Sequence, residues 1–108
     1  MITVGVFKVG LPLSIVEIAG NLDSMQKLVG GLIEMVPIAE GLSLVCNEEG
    51  AVMMLPVNFR MGSMPIIGDV FFTRHSEGGK AVSLTEADIG LISTLCRQIR
   101  AGTRRAVG

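Results

Sequence analysis

With 108 residues, the chain has room for one hydrophobic core but not two. It is 49% hydrophobic with a mean hydropathy of +0.59, yet no apolar run nears the ~20 residues that cross a bilayer, so the excess belongs to a core, an oligomer interface or a ligand pocket. Net charge is -1, which excludes a bulk electrostatic preference, but residues 1–50 carry two basic and six acidic groups (net −4) and residues 51–108 seven and four (net +3), a split that suggests head-to-tail contacts or an anionic ligand on the later half.

Residues 1–9 alternate as a strand does, and Gly10-Leu11-Pro12 turns the chain into a second strand at residues 14–18, giving an N-terminal hairpin. Asn21 is a good helix N-cap, and Leu22, Met25, Leu28 and Val29 share one helical face; Gly30-Gly31 ends that helix by the left-handed route. The stretch 31–56 holds three short apolar runs, at residues 32–37, 42–46 and 51–55, parted by turn residues at 39–41 and 47–50, and so reads as a β-meander. Residues 56–65, with prolines at both ends and a glycine inside, read as an ordered loop, and 66–73 as a further strand in which Gly68-Asp69 marks a bulge or a close backbone approach.

Residues 74–81 are a polar turn. Ser83 to Glu86 form a capping box, Ser83 taking an N–H three residues on, before a helix running to about Arg100. Its buried face would hold Leu84, Ile89, Leu91, Ile92, Leu95, Cys96 and Ile99, and Gly102 would stop it. The expected fold is α+β: a mainly antiparallel sheet of about six strands in the order ββαββββα, two helices packed on one face, a single domain over residues 1–102 and a basic tail at 103–108.

No catalytic constellation stands out. His75, the one histidine, reads as a solvated loop residue, since Ser76 beside it points elsewhere. Cys46 and Cys96 sit in apolar surroundings, so buried thiols in a reduced setting are expected, with no metal site and no cofactor. Glu48-Glu49 reads as a wet turn tip, and Gly78-Gly79-Lys80 lacks phosphate-loop spacing. Arg97, Arg100, Arg104 and Arg105 have no aromatic stacking residues near them, so they read as helix-end charges and not as a nucleic-acid surface. The best pair for holding a ligand is Asn58 with Arg60, an amide beside a planar fork suited to phosphate or carboxylate, walled by methionines; Glu34 could point into the same pocket.

The runs at residues 26–37, 41–50 and 55–58, followed more loosely by Ile67-Gly68-Asp69 and Ser83-Leu84-Thr85, resemble the domain-of-unknown-function family 3846 over about residues 2–90. The resemblance implies a phage, plasmid or mobile-element origin and a bacterial cytoplasmic setting, and implies that positions matching Glu34, Asn47, Glu48, Gly50 and Asn58 recur; it brings no established activity. Asn47 joins the candidate ligand residues on that ground. The reading that follows is a non-catalytic binding protein, a homo-oligomer, that sequesters a host nucleotide-type signal to counter host defence. The alternative is an inhibitor that covers a host enzyme with a Met-rich apolar surface.

Overall fold

The computed structural model describes the backbone of residues 1–107 and the side chains of residues 1–102. Eight strands and two helices follow one another as β1 (Ile2–Phe7), β2 (Ser14–Ile18), α1 (Leu22–Val29), β3 (Ile33–Ala39), β4 (Leu42–Asn47), β5 (Val57–Met61), β6 (Met64–Ile67), β7 (Val70–His75), β8 (Ala81–Val82) and α2 (Glu86–Val107). The class is α+β, and every strand pairing is antiparallel. The main sheet runs β2-β1-β7-β4-β3, with β8 paired to the end of β7; β5 and β6 form a separate hairpin.

The first helix forms as its sequence predicts. Asn21 accepts from Ser24 N, and Gly30, at φ 79, donates to the carbonyl of Gln26. The N-terminal hairpin and the first two meander strands also form, the latter in register from Ile33↔Asn47 to Pro37↔Ser43. The third expected meander strand does not form. Residues 51–54 are turns, closed by Met53 N to Glu49 O, Met54 N to Ala51 O and Leu55 N to Gly50 O. β7 takes the free edge of β4 instead, because VFFTRH offers aromatic and β-branched side chains where AVMML offers helix formers.

Two further expectations are corrected. The segment read as a loop is the β5–β6 hairpin, turned at Gly62 (φ 61). The strand expected across 66–73 is two strands, broken where Gly68 adopts φ 80, donates to Pro56 O and brings its backbone against Leu55.

The helices do not share a face. Along β1, β4 and β7 successive side chains alternate between two cores: Val4, Val6, Val45 and Phe71 pack with Met25 and Val29 of α1, while Phe7, Leu44, Val70 and Phe72 pack with Ile92 and Cys96 of α2. The sheet is therefore the middle layer, with α1 on one side and α2 plus the β5–β6 hairpin on the other. All six residues of β4 are buried, as a strand covered on both faces requires. α2 lies close: a Cβ on Gly5 would stand 2.8 Å from the Ile92 Cδ1 atom. Leu91 and Leu95, expected on the buried face, are exposed.

The cap of α2 also differs from expectation. Thr85 and Asp88 form the reciprocal box, Asp88 N donating to Thr85 Oγ1 and Thr85 N to the Asp88 carboxylate, whereas Ser83 Oγ accepts from Thr3 N and ties the helix entry to β1. α2 continues past Gly102 to Val107; the side chains of the expected basic tail lie outside the described residues.

Candidate functional site

Where α2 passes over the β1–β2 turn and the start of β5, a groove of about 790 Å³ opens. Its walls are apolar, from Val9, Leu13, Ile15 and Val57, and Asn58, Ser93, Arg97 and Arg100 supply polar groups. Its size falls within the range of small-molecule sites.

Arg100 is the hub. Its Nε donates to Leu11 O (2.8 Å), its Nη2 to Lys8 O (2.7 Å) and Asn58 Oδ1 (3.0 Å), its Nη1 to Asn58 O (3.4 Å), and its Cζ stands 3.9 Å from the Phe7 ring centroid. Asn58, 7% exposed, completes the lock by donating from Nδ2 to Phe7 O (2.7 Å) and Gly68 O (2.9 Å). The amide thus joins β1, the β6–β7 break and α2.

Every partner of Arg100 is neutral. Burial pulls its guanidinium pKa down, as expected for a charge that leaves water without an opposite charge in exchange. Arg74 shows the contrast. Its Nε and Nη2 each lie 2.8 Å from a carboxylate oxygen of Asp88, which holds that carboxyl down to about 2 and raises the arginine in return. Arg97 is exposed on the groove wall, where its Nη2 lies 3.5 Å from Thr94 Oγ1. Among the described residues, no carboxylate lines the groove and neither arginine has an ion-pair partner.

The four residues singled out in the sequence do not converge. Asn58 lines the groove, but its amide is committed to the lock. Arg60, the next residue but one, is exposed on β5 and does not line it. Glu34 is exposed on the edge strand β3, paired with Cys46. Asn47 is 5% exposed and structural: Nδ2 donates to Val29 O (3.2 Å) and Oδ1 accepts from Glu49 N (2.8 Å), joining the end of α1 to the β4 turn.

His75 is not a loop residue. It closes β7, and its Nδ1 lies 2.7 Å from the Ser43 hydroxyl of β4, a pairing 32 positions apart that no local spacing announces. Ser43 is 1% exposed, so this hydroxyl is enclosed by the sheet and not presented to a substrate. Cys46 and Cys96 are both buried free thiols, each pushed up to about 11 by burial and so held as neutral SH groups. Among the described residues, no three His, Cys, Asp or Glu side chains converge as metal ligands would, and no helix is long and apolar enough to cross a membrane.

Sequence reasoning treated Arg97 and Arg100 as helix-end charges. Nothing local could have placed them in a groove, because its other wall arrives from the β1–β2 turn some ninety residues earlier.

The architecture is that of a small α+β domain with a two-faced sheet and a cationic, apolar-walled groove at one end. The chain belongs to the domain-of-unknown-function family DUF3846, whose model matches residues 2–97. No curated protein and no solved structure matches it.

Proposed function

We propose that this protein is a non-catalytic binding module whose groove captures a small anion with an apolar or planar body, of nucleotide type. One observation carries the reading: two guanidinium groups, Arg97 and Arg100, meet at an apolar groove without a carboxylate between them. A partly buried cation whose partners are neutral is stabilised by an anion that enters beside it. Arg97 is the arm free to move onto such a ligand, while Arg100 supplies a fixed field and Val9, Leu13 and Val57 an apolar wall.

Capture of this kind acts by mass action and needs no chemistry. In a phage or mobile element, as the sequence resemblance implies, it would serve to withdraw a host nucleotide signal from a defence pathway.

Calorimetry against cyclic and ADP-ribose-derived nucleotides, with inorganic phosphate for comparison, tests the proposal. Binding is expected to weaken about tenfold or more in Arg97→Ala, a loss of ~1.4 kcal/mol or greater, and to be unchanged in Arg60→Ala. Silence across the panel, or equal affinity in Arg97→Ala, contradicts it.

A further inference from the structure

The connection between β4 and β5 presents Val52 and Met54 to solvent at 82% and 88% exposure, with Met53 between them half-exposed at 50%, its Sδ accepting from Asn47 Nδ2 at 3.5 Å. This tip is built, not frayed. The Asn47 side chain holds Glu49 N, three backbone bonds close residues 49–55, and Met54 is kept at φ 59, a left-handed conformation that residues with a Cβ seldom adopt. A turn held in this way around exposed apolar side chains marks a contact surface.

Glu48 and Glu49, both exposed, stand at the base of the tip. An acidic, apolar projection and a basic, apolar groove thus belong to one chain, and they lie in the two halves whose charges are −4 and +3. We propose that the Val52–Met54 tip of one copy seats in the Arg97/Arg100 groove of a second, with Glu49 of the tip opposite Arg97 of the groove. Tip and groove are different surfaces, so the contact either repeats head to tail and closes as a ring, or is made twice in a two-fold dimer in which each copy gives its tip to the other. The tip's acidic base meets the charge that the groove leaves open, so a seated tip and an anion held by Arg97 compete for one site, and the methionines adapt to its walls.

Sedimentation velocity over a range of concentrations tests this. The wild-type chain is expected to associate as concentration rises, and Met54→Lys, which brings a cation to the cationic groove, to remain monomeric. Glu49→Arg and Arg97→Glu are each expected to weaken association tenfold or more, and the double variant to recover most of it. Met54→Gly, which suits the left-handed backbone and keeps the fold, is expected to lose association with an unchanged circular dichroism spectrum. A wild-type chain that stays monomeric at every concentration, as it would if the tip served a foreign protein, overturns the proposal. So does association that survives Met54→Lys and Met54→Gly, or a double charge variant no better than the singles. Association without anion binding would count against the small-ligand reading alone.

Discussion

Arg74 and Arg100 bring the same group into opposite settings. Arg74 meets a bidentate carboxylate, and Asp88 in turn accepts from Thr85 N, so one side chain caps α2 and pins it to β7. The folded Asp88 carboxyl titrates at about 2, below its ordinary 3.8, so the stability it contributes is complete above about pH 4 and is lost as pH falls through the folded value. The shift corresponds to roughly 2 kcal/mol, part of which salt screens because Arg74 is partly exposed. Urea denaturation should therefore show the wild type losing more stability than Asp88→Asn as pH is lowered from about 5 to about 2. Parallel pH profiles for the two proteins would contradict the assignment. This pairing was half legible: Thr85 and Asp88 lie in the stretch whose capping chemistry the sequence announces, but Arg74 arrives from a strand, and the choice of Thr85 over Ser83 as the cap was decided when Ser83 was taken up by Thr3.

At the scale of elements, local signals were reliable where neighbours supplied every partner. Asn21 and Gly30 close α1 with bonds inside three or four residues, so the helix could be read to its ends. The meander failed at its third run because pairing is competitive: β4 has two edges, and β7, 28 residues away at its start, fills the second better than residues 51–55 do. The placement of the two helices was misread for a related reason. LSLVC in β4 is a nearly continuous apolar run, the pattern of a strand covered on both faces, and it argues against an order of elements in which both helices share one face. The residues displaced from the meander became the tip, where Met54 is held left-handed by its backbone bond to Ala51 while the residue stays 88% exposed. Replacing it by glycine removes a left-handed penalty of about 1–2 kcal/mol and adds about 0.5–1 kcal/mol of unfolded-chain entropy, so thermal unfolding of the monomer should rise slightly or hold level. A clear fall in the unfolding temperature would show that Met54 packs against something within the chain.

Across the whole molecule, the charge split of the sequence becomes spatial. The acidic half supplies the tip's base and the basic half the groove's arginines, and the Asn58–Arg100 lock holds the groove's two walls at a fixed separation. The sequence could identify Asn58 as an amide needing partners; that those partners would be backbone carbonyls of Phe7 and Gly68 depended on contacts spanning 51 and 10 positions, and for that reason the proposed ligand role falls to Arg97. The proposed anion site is this groove and not the Arg60 face of β5. A heteronuclear NMR titration of the chain with a nucleotide that binds it separates the two: resonances of Ser93, Arg97, Val57 and the Arg100 Nε–H should shift together and saturably, with those of Arg60 and Glu34 unmoved. Shifts confined to Arg60, Met61 and Glu34, with the Arg97 and Arg100 signals still, would contradict it.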